Sequence, residues 1–227
     1  MSIRSAFDQE LEDLRDDVLR LGSMADTAMS LSMKALKERD QALARQIIAD
    51  DEKINQLRFK IEEDCLGLLA RQQPAARDLR FIVAAMHIGL ELERMADHAS
   101  GIGVIVLRVG DEPLLKPLID LPRMVEISQD MLRRSLDAFV TADAEEAMAI
   151  TQRDDEVDQL YNQIFREMVS FMIEDPHTIT RGMYLLFCAH NIERIADRVT
   201  NICERVVFMA TGRMTEIPSS PEEEETR

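Results

Sequence analysis

From about Ser5 to Lys37 the apolar positions Leu11, Leu14, Val18, Leu21, Met24, Ala25, Ala28 and Met29 recur at intervals of three and four residues. That spacing draws one buried stripe along a helix and leaves charged residues on the opposite face. Arg39 and Asp40 interrupt the stripe, and Asp40 suits the N-cap of a second helix. The second stripe, Ile47, Ile54, Leu57, Ile61, Cys65 and Leu68, is predicted to end before Pro74, whose ring disfavours helical dihedrals in the preceding residue. A third helix is predicted from near Pro74, a residue tolerated in a first turn, to about Val109.

Gly110-Asp111-Glu112-Pro113, followed by Pro117 and Pro122, is the one proline-rich gap and marks a boundary between halves. Beyond it the plan repeats: a helix from about Pro122 to Val140, a turn at Thr141 to Asp143, a helix to about Ile173, a break at Asp175-Pro176, and a last helix to about Ala210. Residues 40–57 align without gaps on 143–160, matching Asp40 with Asp143, Ala44 with Ala147, Asp51 with Asp154, Gln56 with Gln159 and Leu57 with Leu160. Glu93-Arg94-Met95-Ala96-Asp97 likewise recurs as Glu193-Arg194-Ile195-Ala196-Asp197. The expected architecture is all-α: two similar three-helix bundles, six long antiparallel helices with internal pseudo-symmetry. The first repeat spans 1–112, the second 113–212, and 213–227 reads as an acidic, disordered tail ending in Glu222 to Glu225. Helices of some 30 residues would be about 45 Å long.

Composition agrees with this plan. The 227 residues are 46% hydrophobic and 31% charged, with only 8 Gly and 7 Pro, so a helical globular chain with a real core is expected. A formal net charge of −16 repels phosphate backbones and anionic membrane surfaces, which argues against nucleic acid as a partner. Cys65, Cys188 and Cys203 form no Cys-x-x-Cys pair and read as small core residues. No basic-then-apolar leader and no run of 18 apolar residues is found. A soluble, cytoplasmic protein that meets membranes only through partners is expected.

Positions i and i+4 share a helix face with Cβ atoms roughly 5 to 6 Å apart, so each acidic phrase aims two carboxylates at one patch of space. Oxygen ligands on successive turns suit Mg²⁺, Mn²⁺, Ca²⁺ or iron better than a zinc site. Glu93 and Asp97, with Glu193, Asp197 and Asn201, are therefore candidate metal ligands, and His190 stands one turn before Glu193. One helix supplies only one side of such a site. Glu10, Asp13 and Asp17 on the first helix, and Glu126, Asp130 and Asp137 on the fourth, are candidates for the remainder. The competing reading is an ordinary solvated face, because Arg94 and Arg194 lie three residues from Asp97 and Asp197, close enough to pair.

Gln72-Gln-Pro-Ala-Ala-Arg-Asp-Leu-Arg80, Leu92-Glu-Arg-Met-Ala-Asp-His98 and Asn191-Ile-Glu-Arg-Ile-Ala-Asp-Arg198 together resemble the PhoU family, the phosphate-specific transport system accessory proteins of bacteria. The likeness spans about Phe7 to Ala210. It implies two three-helix bundles, a homodimer, and binding of metal ions or clusters through Glu-x-x-x-Asp motifs, here Glu93, Asp97, Glu193 and Asp197. It also implies a negative regulator of the phosphate-starvation response that links the phosphate ABC transporter ATPase to a sensor histidine kinase, an adaptor and not an enzyme. Asp78 and Arg80 are implied as partner-binding residues, with capping or packing a rival role for Asp78. Gly101 stands where the second motif has Asn201, which implies unequal metal sites.

Two other classes compete. A carboxylate-bridged metalloenzyme of the helical-bundle type would need an open coordination position and a general base, and no base is identifiable. No His-Glu-x-x-His, Gly-x-Ser-x-Gly or phosphate-cradling glycine loop is present either. A membrane-curving helical module would need a basic face, against the large acidic excess.

Overall fold

A computed structural model describes residues 3–214, whose regular elements are all helices. The stretch from 215 onward, including the acidic run Glu222 to Glu225, lies outside the described residues. The helices are α1 (Ile3–Glu38), α2 (Gln41–Gln72), α3 (Ala76–Val109), α4 (Asp120–Thr141), α5 (Ala144–Thr151), α6 (Asp154–Glu174) and α7 (Ile179–Thr211), with one 3₁₀ turn at Pro176–Thr178 before α7. The first three pack mutually, α4, α5 and α6 pack around α7 with α4 also touching α5 and α6, and α3–α7 and α1–α4 contacts join the halves.

The turns between helices repeat as faithfully as the sequence. Arg39 and Ala142 both take left-handed dihedrals (φ 55° and 56°). The following aspartates are N-caps: Asp40 accepts from the backbone N–H groups of Ala42 and Leu43, and Asp143 from those of Glu145 and Glu146. The backbone N–H of each aspartate donates to a carbonyl five residues earlier, Ala35 and Ala138, at 2.9 Å. Two orphan donors at each helix start are thus satisfied by one carboxylate.

Pro74 proves to lie outside the third helix, which begins at Ala76. Pro74 bars right-handed helical dihedrals at Gln73, which adopts φ 43° and closes α2 in the left-handed region. The predicted single fifth helix is two helices, broken at Gln152–Arg153. No glycine or proline marks this break. Arg153 is instead drawn out to pair with Asp130 on α4 and with Glu156 at 3.1 Å, while Thr151 turns its hydroxyl back onto the Met148 carbonyl. The consequence is local: Asp154, 2% exposed, becomes the first residue of α6.

One continuous core runs through both halves. The α3–α7 seam is as extensive as the α2–α3 packing within the first half. It is antiparallel, and residues near its middle pair across it: Glu91 Oε2 accepts from Arg198 Nη1 at 3.3 Å and from Asn201 Nδ2 at 3.1 Å. At the matching place on the other side, His98 Nδ1 is 3.1 Å from Asn191 Oδ1. The Asn191 amide nitrogen donates to the Phe187 carbonyl, so its oxygen faces His98 and the imidazole proton sits on Nδ1. Gly101 leaves room for this amide: a Cβ there would stand 3.1 Å from Asn191 Oδ1, so a larger residue would have to shift it by a few tenths of an ångström. Gln129 Nε2 ties α4 to α1 through the Asp26 carboxylate at 2.8 Å and Ser30 Oγ at 2.7 Å.

Candidate metal centres

Each acidic phrase lies near the middle of α3 or α7, and its facing helix is the second of the same half. Asp51 of α2 joins Glu93 and Asp97: besides burial, the charge of Asp97 raises the Asp51 carboxyl, and those of Asp97 and Asp51 raise Glu93. Asp154 and Asp158 of α6 join Glu193 and Asp197. The carboxylates expected to complete these sites lie on the first and fourth helices, where the structure gives most of them other partners. Asp17 pairs with Lys60, Glu10 with Arg71, Asp130 with Arg153 and Arg134, and Asp13 accepts from Gln9. The signal that could have found Asp51 and Asp154 was in view: both are identical positions of the repeat alignment.

The clusters are electrostatically costly. Burial pushes the Asp154 carboxyl up to about 8, with the charges of Asp158, Asp197, Glu193 and Asp155 adding to it. Burial likewise raises Asp51, Glu93, Asp158, Glu193 and Asp197, opposed at Asp197 by Arg194 and Arg198 and at Glu93 by Arg58. Asp51 Oδ1, Asp154 Oδ1 and Glu193 Oε2 are buried and accept no hydrogen bond among the described residues. His190 Nδ1 lies 3.3 Å from Glu193 Oε2, an ion-pair distance without the alignment of a hydrogen bond. Arg194 Nη1 pairs with Asp197 Oδ2 at 2.9 Å.

The halves differ at two aligned positions. Asn55, donating to Asp51 at 3.2 Å, corresponds to Asp158, and Arg58 corresponds to Tyr161, whose ring tilts against His190. Both changes make the second cluster more negative. Asn201 does not join its carboxylates through its nitrogen, which is committed to Glu91. Among the described residues, no three Asp, Glu, His or Cys side chains form a group that could hold one metal ion as they are placed. Buried oxygen donors with unused lone pairs otherwise have the chemistry of a hard-cation site.

Arg80 and Asp78 lie away from both clusters. Arg80 Nε donates to the Met209 carbonyl at 3.1 Å, capping the C-terminal turn of α7 where its dipole is negative. The three cysteines are buried free thiols; burial pushes Cys65 and Cys203 up to about 12, and Cys188 up as well.

Fold and clusters together define a duplicated helical protein that presents one buried carboxylate group per half. Among the described residues no helix is long and apolar enough to cross a membrane. The PhoU domain family matches the chain twice, over residues 18–106 and 121–206, and the chain belongs to that family. It is 37% identical over 211 residues to the phosphate-specific transport system accessory protein PhoU homolog of Rhizobium meliloti, covering 92% of this chain and 89% of that one. The Caulobacter vibrioides homolog is 39% identical over 91% of this chain and 90% of its own. Among solved structures, the phosphate transport system regulatory protein PhoU of Streptococcus pneumoniae superposes with a TM-score of 0.85 at 36% identity, covering 92% of this chain and 99% of that one. PhoU of Pseudomonas aeruginosa gives 0.86 at 34%, covering 91% and 100%.

Proposed function

We propose that this chain is a cytoplasmic, metal-binding regulatory adaptor of phosphate uptake, a homodimer that restrains the phosphate-starvation response. In this reading it links the phosphate ABC transporter ATPase to a sensor histidine kinase and carries out no catalysis itself. The names of its relatives, accessory and regulatory proteins of phosphate transport, support the pathway. The observation that carries the metal reading is the pair of clusters with orphaned buried oxygens, Asp51 Oδ1 in one half and Asp154 Oδ1 in the other.

Glu193, Asp197, Asp154 and Asp158 would hold the ion in the second half, and Glu93, Asp97 and Asp51 in the first, with the Asn201 carbonyl oxygen at the margin. A bound Mg²⁺, Mn²⁺ or iron ion supplies the positive charge that these desolvated carboxylates lack, and so clamps α6 to α7 and α2 to α3. With Asp158 and Tyr161 in place of Asn55 and Arg58, the second site is the tighter.

The test is metal content of chelator-free protein, wild type against Glu193→Ala/Asp197→Ala and Glu93→Ala/Asp97→Ala. The first pair should lose more metal than the second, and a wild type free of metal would sink the assignment. Separately, deletion of the gene should raise starvation-reporter expression in phosphate-rich medium. Unchanged repression would refute the regulatory reading.

A further inference from the structure

Away from both acidic clusters, a cavity of about 350 Å³ opens where α1, the start of α3 and the ends of α4 and α7 meet. Arg15, Arg77 and Arg80 line it together with Asp78, above an apolar floor that includes Phe81 and Phe139. The chain carries 43 acidic against 27 basic residues, and its other arginines commonly pair with carboxylates. None of these three forms an ion pair with a carboxylate of the described residues. Arg15 lies with its guanidinium carbon 5.4 Å from the Phe81 ring centroid, and its buried Nε makes no hydrogen bond among the described residues. Arg80 spends its Nε on the Met209 carbonyl, which leaves the terminal nitrogens of the fork for other acceptors.

We propose that this cavity binds orthophosphate. Three arginines lining one cavity, none of them neutralised by a carboxylate of the described residues, offer the chemistry that suits a compact oxyanion, which takes paired N–H donors from planar forks. The ring stack holds Arg15 in place, so less rotamer freedom is lost when an anion arrives. A carboxylate among them selects which oxyanion. Asp78 repels a fully deprotonated tetrahedral anion such as sulfate, but accepts a hydrogen bond from the P–OH that phosphate retains at neutral pH. The site would report phosphate next to the C-terminal turn of α7, the helix that carries Glu193 and Asp197. The inference deepens the phosphate-regulatory reading but is tested on purified protein, so binding and repression can fail independently.

Isothermal titration of the full-length protein with inorganic phosphate, and with sulfate at matched ionic strength, tests it. The titrations are run with chelator and again with Mn²⁺, which separates this cavity from phosphate held by a cluster-bound metal. Saturable phosphate binding is expected in both, with sulfate at least about tenfold weaker. Arg15→Gln and the exposed Arg77→Gln should each weaken phosphate about tenfold, the scale of a lost charge-assisted hydrogen bond. Asp78→Asn should narrow the gap between the two anions. Circular dichroism of each variant confirms that it is folded, and Arg77→Gln carries the test if Arg15→Gln is not. No saturable binding by wild type, binding only with Mn²⁺, equal affinity for sulfate, or undiminished binding by folded arginine variants would overturn the proposal.

Discussion

Replacing Asp154 by Asn should stabilise the metal-free protein at neutral pH and stop doing so in mild acid. Asp154 is 2% exposed, and its carboxyl is raised from 3.8 to about 8, chiefly by burial. The folded state therefore holds the proton that the unfolded chain releases near 3.8. Stability from this group is complete below that value and falls as pH rises towards 8. At pH 7 the roughly three-unit interval above 3.8 corresponds to about 4 kcal/mol at 1.36 kcal/mol per unit. Asn removes the ionisation from both states, at the cost of about 1 to 3 kcal/mol for an amide buried without full partners. The net gain at pH 7 is about 1 to 3 kcal/mol, or several degrees in Tm for a chain of this size. At pH 5 the ionisation cost is only about 1.5 kcal/mol, and the gain vanishes or reverses. Thermal melts in EDTA between pH 5 and 8 read this directly. Parallel Tm profiles for wild type and D154N would refute the electrostatic account. With saturating Mn²⁺ the order should invert, because wild type gains about 2.7 kcal/mol at one hundred times Kd.

Glu91→Gln should destabilise by about 2 kcal/mol in urea titrations, because it removes the carboxylate paired with Arg198 at a seam where both side chains are mostly buried and leaves Asp197 as the acidic charge acting on it; a loss under 1 kcal/mol would mean that the pair contributes little. Asp40→Ala and Asp143→Ala should each cost about 1 kcal/mol and add when combined, since the two caps share no partner; equilibrium unfolding of the single and double variants checks both points. Cys65, Cys188 and Cys203 should resist alkylation at pH 8 in the native protein and react together on unfolding, as judged by mass spectrometry.

Much of the fold was legible because local signals and periodicity agreed. The stripes on α1 and α2 and the Asp40 cap appear where the residues predict them, and Asp143, its counterpart in the repeat alignment, caps α5 in the same way. The split of the fifth helix was not legible, because Thr151-Gln152-Arg153 contains no breaker and the force is tertiary, Arg153 reaching Asp130 on another helix. At the candidate sites the Glu-x-x-x-Asp pairs could be read from helical spacing alone. Which helix faces them could not, since several long amphipathic helices offered carboxylates and only packing puts α2 and α6 opposite. Asp154 also sits at a helix start created by that unforeseen break, so its burial was invisible for the same reason.

The antiparallel α3–α7 seam bears on how such a chain could arise. A symmetric seam joining like helices is what two copies of a three-helix chain would form about a two-fold axis, each contact occurring twice with the same residues. Here one end of the seam carries Glu91 with Arg198 and Asn201, and the other carries Asn191 with His98 and Gly101. Identical subunits cannot sustain that difference, because every change at one end would appear at the other. Joining the copies in one chain frees the two ends to diverge, so one end is ionic and the other neutral and closely packed.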